Sequence, residues 1–440
     1  QMNIRGSLGK KIPDLIGFIN GIPLLFVELK AASVNIKHAY DDNLRDYKDT
    51  IPHLLTYNGF CMLSNGIEAK IGSITAGWEH FAEWKKVSSE GEEGVIDINT
   101  MINGTCQQPR FLDIIENFVL ISEESDREWD EKKGKVVTKK FDVQIFPRYH
   151  QLDVIRSLKR SVIDEGVGNN YLIQHTTGSG KSLSIGWLSH LLSSLYRSED
   201  DTSRMFDSII VVTDRRVLDK QIQNTIKQLE QTKGVVNPVN VNSQQLKQFI
   251  EDGKHIIVTT IQKFPVISNA IGELTGRKFA VVIDEVHSSQ SGRSANELRK
   301  SLSKSSLDEY QEGEDTVDLT DMDTLILKEM ETHGKQPHIS FFGFSGTPKN
   351  KTLEIFGRKD EVGQFIPFDV YSMKQSISEQ FTLDVLDKYT TYKRYFRLNQ
   401  ETTDDSEVDT RRVKRMLVNW VDIHPHTITE KTQIILDHFR

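Results

Sequence analysis

Residues 171–182 read Tyr-Leu-Ile-Gln-His-Thr-Thr-Gly-Ser-Gly-Lys-Ser, and few segments constrain a surrounding fold as strongly. A short apolar run leads into a loop with glycines at 178 and 180, and a helix-compatible stretch, 183–195, follows. Strand, glycine-punctuated loop and helix in that order make a phosphate cradle. Glycine lets backbone N–H groups turn inward, and the helix N-terminus adds partial positive charge. In such a cradle Thr177, Gly178, Ser179 and Gly180 form the loop. Lys181 reaches the terminal phosphates and the Ser182 hydroxyl ligates Mg²⁺. The match to G-x-x-x-x-G-K-[ST] departs at its first position, where His175 stands in place of glycine.

A cradle of this kind needs a parallel sheet behind it. Strand-length apolar runs recur at 171–173, 208–212, 255–258, 279–283 and 339–342, with helical segments between them, as expected of an α/β layer with helices on both faces. Two interruptions, 197–204 and the Ser-rich then acidic 301–323, read as loops. A first α/β pattern precedes this one, with strands expected at 14–19, 24–29, 60–63 and 69–74 and a helical stretch at 36–48. The charged, non-periodic run 123–135 reads as a solvated connector between the two. After about 365 the chain reads as mixed and helical, with no second strand series.

Bulk properties narrow the class. A chain of 440 residues with 37% hydrophobic and 27% charged residues suits two to four globular domains. No apolar run approaches the roughly 18 residues of a membrane span, no secretory signal opens the chain, and a cytoplasmic location is expected. Cys61 and Cys106 are too few for a disulfide framework or a Cys-based zinc site, and the 13 histidines show no metal spacing. A net charge of −8 argues against indiscriminate nucleic-acid binding over the whole surface, but leaves room for a basic channel. The chain opens on Gln1 and ends at Arg440 within an apolar helical pattern, so both ends look cut.

The run 279–283 ends in Asp284-Glu-Val-His287. Beside a phosphate loop, Asp284 is placed to hold Mg²⁺ through its water shell and Glu285 to orient or deprotonate the attacking water. In isolation the same pair would be an acidic helix cap. Over about 145–350 the sequence resembles the superfamily 2 helicase and translocase motors. That resemblance assigns adenine reading to Arg148 and Gln151 of Arg-Tyr-His-Gln151. It assigns DNA phosphate contacts to Thr213, Arg215 and Arg216, and to Thr259, Thr260, Gln262 and Lys263. Loop solvation and helix capping are the alternative for those seven. In Phe344-Ser-Gly-Thr-Pro348 the resemblance makes Ser345 and Thr347 hydroxyl partners of Asp284 and His287, coupling hydrolysis to movement. Such motors hold ATP between two lobes, and the second supplies an arginine. No Gln-x-x-Gly-Arg-type motif precedes Arg440, so the chain is expected to bind ATP while lacking much of what fast hydrolysis needs.

Near the N-terminus Ile12-Pro-Asp14 is followed, across two apolar runs joined at Asn20-Gly21, by Glu28-Leu-Lys30. Glu28 and Lys30 share a face by the two-residue strand period. Register decides whether Asp14 joins them. A regular two-residue Asn-Gly turn pairs Asp14 with Val27 and turns it away. A three-residue loop, with Gly21 left-handed in a bulge, pairs Asp14 with Glu28. An odd-numbered loop or a bulge is therefore expected. So placed, Asp14 and Glu28 chelate Mg²⁺ and Lys30 positions water or steadies the phosphate. The alternative is strand ends that merely carry surface charge.

The spacing resembles the PD-(D/E)xK nuclease core. Followed by a linker and a motor beginning Arg-Tyr-His-Gln, it resembles the motor (restriction) subunit of type I restriction–modification enzymes. The phrases Asn20-Gly-Ile-Pro-Leu24, Tyr57-Asn-Gly-Phe-Cys61, Ser64-Asn-Gly66 and the loop from His175 fit that family, in which His is usual at the loop's first position. The family's Gln-x-x-x-Tyr helix has its candidate in Asn43-Leu-Arg-Asp-Tyr47, with Asn replacing Gln, and an acidic ligand from an earlier helix is not in the sequence.

The resemblance implies a nuclease-like domain at 1–122, truncated N-terminally, and a charged linker at 123–144. A first RecA-like lobe follows at 145–365, and then a connector, 366–440, toward an absent second lobe. It implies an ATP- and Mg²⁺-dependent double-stranded DNA translocase coupled to an endonuclease. Methyltransferase (modification) and specificity subunits would be its partners, with S-adenosylmethionine bound only by them. The basic, aromatic run 388–397 reads as an amphipathic connector in preference to a DNA contact. Two rival readings remain: a superfamily 2 repair helicase with a structural N-terminal domain, and a nucleotide-gated DNA-binding scaffold, which Glu285 disfavours.

Overall fold

A computed structural model describes residues 2–85, 98–130, 135–198, 200–213, 216–230, 233–239, 242–260, 263–285, 336–379 and 381–383. All of these belong to one compact unit, Gln1–Leu383. The expectations at Arg215, Gln262, His287, 301–323 and 388–397 lie outside the described residues.

After a small hairpin, β1 (Ile4–Gly6) and β2 (Gly9–Lys11), four strands form one sheet. They are β3 (Leu15–Ile19), β4 (Ile22–Leu29), β5 (Phe60–Ser64) and β6 (Ala69–Gly72), in that spatial order. Only β4 and β5 are parallel, and the connection between them carries the helices. There a π-helical turn, Ala39–Leu44, runs into α1 (Arg45–Thr50) and α2 (Pro52–Leu55), matching the expected helical stretch. Phe26, Cys61 and Leu63 pack one face of the sheet against Leu44, Tyr47 and Ile51. From the other face Leu25, Val27, Phe60 and Met62 join a larger core. That core continues through α3 (Ile98–Thr105) and α4 (Gln108–Asn117) into the second half of the chain.

The stretch expected to be an irregular connector is instead an antiparallel ribbon, β7 (Leu120–Asp130) with β8 (Lys135–Ile145). Its residues alternate between two faces that both meet solvent along most of the length, so no hydrophobic period marks it in the sequence. Charged partners across the strands, such as Lys140 and Glu123 at 2.7 Å, take the place of a buried face.

Beyond the ribbon, α5 (Tyr149–Glu165) leads to β9 (Asn170–His175) and α6 (Lys181–Ser193). Then follow β10 (Ser208–Thr213), α7 (Arg216–Gln228), β11 (Val236–Pro238), α8 (Ser243–Glu251), β12 (Ile256–Thr260), α9 (Phe264–Glu273), β13 (Phe279–Ile283) and β14 (Ile339–Ser345). After α10 (Asn350–Phe356) and a two-residue hairpin, β15 (Arg358–Lys359) and β16 (Phe365–Ile366), the described chain closes with β17 (Asp369–Tyr371) and α11 (Met373–Ser378).

Seven strands form an all-parallel sheet in the order β11-β12-β10-β13-β14-β9-β17. Its central strands are buried on both faces, which is why they read as unbroken apolar runs. The RecA-like α/β expectation therefore holds. The boundary near 365 does not: β17 pairs with β9, and Asp369 and Tyr371 are buried. Three residues, one of them a carboxylate, are too few to register as an apolar run.

Candidate active sites

In the N-terminal sheet the turn is the regular one. Asn20 at φ 50° and Gly21 at φ 81° join Ile19 and Ile22 through two residues. Continued regularly, the ladder would place Asp14 opposite Val27. It shifts by one between Gly17 and Phe18, where Gly17 pairs with Leu25 and Phe18 with Pro23, leaving Leu24 as an extra residue. The Leu24 carbonyl accepts the Gly59 N–H at 2.7 Å, so the bulge is satisfied from β5's side. Leu15 then faces Val27, and one step further Asp14 meets Glu28. Asp14 Oδ2 accepts the Leu29 N–H at 2.8 Å. The expected bulge exists, in β4 and not in the turn.

Around this pair the expected residues converge. Lys30 Nζ lies 3.4 Å from Glu28 Oε1 and donates to Asn43 Oδ1 at 2.5 Å. Asn43 Nδ2 donates to the Tyr47 hydroxyl at 3.4 Å, so the shorter Asn still reaches the lysine. Tyr47 packs edge-on against Phe26. Glu28 is only 2% exposed, and its Oε2 is buried without a partner. Burial, then the neighbouring Asp14 charge, push its carboxyl up to about 7 against the partial relief of Lys30. A buried, unpartnered carboxylate oxygen beside a second carboxylate suits a divalent cation. No cluster of three or more His, Cys, Asp or Glu side chains with metal-ligating geometry occurs among the described residues.

The second site lies at the C-terminal ends of the parallel strands. β9 stops at His175, residues 176–180 turn, and α6 begins at Lys181. Gly178 (φ 84°) and Gly180 (φ 82°) are both left-handed. At Gly180 the left-handed φ calls for glycine, and a Cβ would stand 2.5 Å from Gln151 Nε2, so a larger residue would also displace that amide. Lys181 Nζ donates to the His175 carbonyl at 3.3 Å and pairs with Glu285 Oε1 at 2.9 Å. Glu285 is itself left-handed, φ 57°, a strained backbone for a non-glycine residue. Asp284 is buried at the end of β13, its N–H bonded to the Val212 carbonyl at 2.9 Å. Ser182 is half-buried in the first turn of α6. Ser345 Oγ accepts the Thr347 N–H at 3.3 Å, and a Cβ on Gly346 would stand 3.2 Å from Thr177 Oγ1, so this turn abuts the phosphate loop. Asp284 with Ser182 can hold the Mg²⁺ of a nucleotide, once Lys181 turns from Glu285 to the phosphates.

Several expectations need correction. The Ser179 side chain is fully buried and its hydroxyl has no partner, so that residue serves the loop through its backbone. Gln151 is 3% exposed and already bonded at both ends of its amide. Its Oε1 accepts the Arg148 N–H at 2.9 Å, and its Nε2 donates to the Gly180 carbonyl at 3.1 Å. It ties α5 to the phosphate loop and does not present an open amide to a base. The Arg148 guanidinium lies on the Phe381 ring at 3.7 Å. Thr213 and Thr259 are buried, and Thr213 donates to the Thr259 carbonyl at 3.3 Å, so neither hydroxyl is open to a DNA phosphate. Thr260 and Lys263 are half-buried, and Arg216 opens α7.

Sequence reasoning missed a polar cluster behind the loop. His175 Nε2 lies 2.6 Å from Asp369 Oδ1, and His150 Nε2 lies 3.0 Å from the Ser179 carbonyl. The His150 ring stacks on Tyr371 at 3.8 Å. The Tyr149 and Tyr371 hydroxyls donate to the two oxygens of Glu379, at 2.5 and 2.7 Å. Burial and Glu379 push both phenols up, holding them as donors. The one available signal was His175 itself, a polar residue closing a buried strand.

Two family descriptions match the chain: type I restriction enzyme R protein N terminus over residues 1–80, and SWI2/SNF2 ATPase over residues 150–307. Among curated relatives, the chain is 28% identical over 92% of its length to the type I restriction enzyme HindI endonuclease subunit of Haemophilus influenzae, covering 35% of that protein. It is 26% identical over 78% of its length to the type I restriction enzyme SsaAORF53P endonuclease subunit of Staphylococcus saprophyticus, covering 32% of that protein. The chain thus spans about a third of the length of these relatives. Among solved structures, a nuclease-deletion mutant of the type ISP restriction-modification enzyme LlaGI with a DNA substrate mimic aligns over 58% of this chain and 23% of that one, at 12% identity and a TM-score of 0.34. No described helix is long and apolar enough to cross a membrane.

Proposed function

Because the chain joins the N-terminal domain of type I restriction enzyme R proteins to a SWI2/SNF2 ATPase domain, we propose that it is the nuclease and motor part of a type I restriction enzyme. It translocates double-stranded DNA with ATP and cuts it at the Asp14/Glu28/Lys30 site. It works beside methyltransferase and specificity subunits, which hold any S-adenosylmethionine and read the target sequence. The division of labour follows the sequence boundaries: nuclease at 1–122, motor from 145 onward, with the ribbon of 123–144 between them.

In the motor, ATP draws Lys181 from Glu285 to the terminal phosphates, which frees Glu285 to orient or deprotonate the attacking water. Ser345 and Thr347 carry the change from the phosphate loop toward the strand ends. There Thr260 and Lys263, with Arg215, Arg216 and Gln262, contact DNA phosphates without reading sequence. In the nuclease site Lys30 steadies the scissile phosphate or a water, and Asn43 and Tyr47 hold that lysine in place. Mg²⁺, held by Asp14 and Glu28 at one site and by Ser182 and Asp284 at the other, would supply charge neutralisation and a polarised phosphate.

The observation that carries this reading is the bulge at Leu24, which sets Asp14 opposite Glu28 with Lys30 3.4 Å away. Asp14→Ala in the assembled enzyme should abolish DNA cleavage and leave ATP turnover intact, whereas Lys181→Ala should abolish both. Cleavage that survives Asp14→Ala would make the N-terminal domain structural and the chain a translocase only. Unaltered ATP turnover in Lys181→Ala would end the motor assignment.

A further inference from the structure

Two peptide groups of the phosphate loop are gripped from behind by adjacent residues of α5. The Ser179 carbonyl meets His150 Nε2 at 3.0 Å, and the Gly180 carbonyl meets Gln151 Nε2 at 3.1 Å. A carbonyl only accepts, so His150 must carry its proton on Nε2 and donate. All peptide bonds among the described residues are trans. In a trans peptide the C=O and the following N–H point in opposite directions. A Ser179 carbonyl pinned toward α5 therefore sends the Gly180 N–H away from it, toward the loop's open side, where Thr177 and Gly178 face solvent. A nest of N–H groups so aimed is what receives an anion.

His150 is built for this task. It is 5% exposed, and its ring lies flat on Tyr371 at 3.8 Å with the planes 9° apart. Tyr371 sits in β17, opposite His175 in the ladder, and its hydroxyl is held by Glu379, which also takes the Tyr149 hydroxyl. The stack fixes the plane of the ring in which Nε2 lies, and the Ser179 carbonyl fixes its direction within that plane.

We propose that His150 is a positioning residue for nucleotide binding, orienting the Ser179–Gly180 peptide so that its N–H faces the phosphates. The inference rests on the nucleotide-binding reading of the loop. Phosphate chemistry, not the base, is what His150 governs, so ATP and ADP should respond together.

His150→Phe keeps a ring on Tyr371 and removes the donor, whereas His150→Gln keeps a donor near the Nε2 position and removes the ring. With ATP and ADP titrated separately against the full chain, His150→Phe should weaken both by roughly tenfold or more. Its unfolding midpoint without nucleotide should fall only modestly, by the loss of one buried hydrogen bond, and the chain should stay folded. His150→Gln should return both affinities to within about threefold of wild type. Wild-type affinity in a folded His150→Phe overturns the proposal and leaves the nucleotide reading intact, as does an equal loss in both variants. If the unaltered chain binds neither nucleotide, both readings fall together. Should His150→Phe not fold, His150→Gln carries the test alone, with retained affinity supporting the donor and a tenfold loss overturning it.

Discussion

The nuclease and motor sites solve the same electrostatic problem in opposite ways. Both place a glutamate near a lysine at the end of a buried strand. In the motor, Lys181 pairs with Glu285 at 2.9 Å beside the buried Asp284, so Glu285 has its countercharge before any nucleotide arrives. In the nuclease, Glu28 lies beside Asp14 and meets Lys30 only at 3.4 Å, a lysine also drawn to Asn43, and one oxygen of Glu28 is left buried and unpartnered. That oxygen has a cost in a low-dielectric site, and its carboxyl responds by holding a proton up to about 7. The paired Glu285 is released when its lysine exchanges partners. The unpartnered oxygen of Glu28 is completed by a cation.

Removing the carboxylate from each site separates the two most sharply. Glu285→Gln in the assembled enzyme should lower ATP turnover by about two to three orders of magnitude, the contribution of a positioned base. Nucleotide affinity should hold or rise, since Lys181 no longer has a competing partner. Glu28→Gln should abolish cleavage, leave ATP turnover unchanged, and raise the unfolding midpoint at pH 8 without Mg²⁺, because a buried charge has gone. A destabilised Glu28→Gln under those conditions would mean the carboxylate is satisfied without a cation, and the contrast between the sites would fail.

The pH response sharpens the same point. Glu28 has a folded pKa raised above its ordinary 4.5, so the folded state keeps a proton that the unfolded chain releases. Its contribution to stability is therefore full below about 4.5 and is lost as pH rises through about 7 when no metal is present. Mg²⁺ must displace that proton. Mg²⁺ affinity at the nuclease site, followed by calorimetric titration in Lys181→Ala to silence the motor, should fall about tenfold per pH unit below 7. A flat profile between pH 5.5 and 8 would place the cation elsewhere.

How much of this was legible in the sequence differs between the sites for physical reasons. The phosphate loop and the strands at 171, 208, 256, 279 and 339 announce themselves because a parallel sheet buried on both faces leaves long apolar runs. Asp14, Glu28 and Lys30 were also readable, since the two-residue period fixes their faces once a bulge is required. Its place at Leu24 was not, because its satisfaction depends on Gly59, far away in sequence. The clamp of His150, His175, Asp369 and Glu379 was hidden for the same reason. Buried polar partners are chosen by tertiary contact, and β17 is too short to carry a pattern of its own. Thr213 and Thr259 went wrong in the reverse sense. Hydroxyls at strand ends look available in a sequence, yet the parallel sheet buries both, and that of Thr213 is turned onto the Thr259 carbonyl.

The smallest effect expected tests what the bulge does. Leu24 is the extra residue, so its deletion leaves Phe18 opposite Pro23, Gly17 opposite Leu25 and, further along, Asp14 opposite Glu28. The deletion should lower stability by about 1–3 kcal/mol, through the lost leucine packing and the Gly59 N–H left without its acceptor. Cleavage should nevertheless stay within a few-fold of wild type. The bulge then matters because it reconciles a two-residue Asn-Gly turn with the register the carboxylates need, and a chain that reaches that register by deletion no longer requires it. A folded deletion variant that binds and hydrolyses ATP but does not cut DNA would show that the local bend at Leu24, and not the pairing of Asp14 with Glu28, aligns the nuclease site.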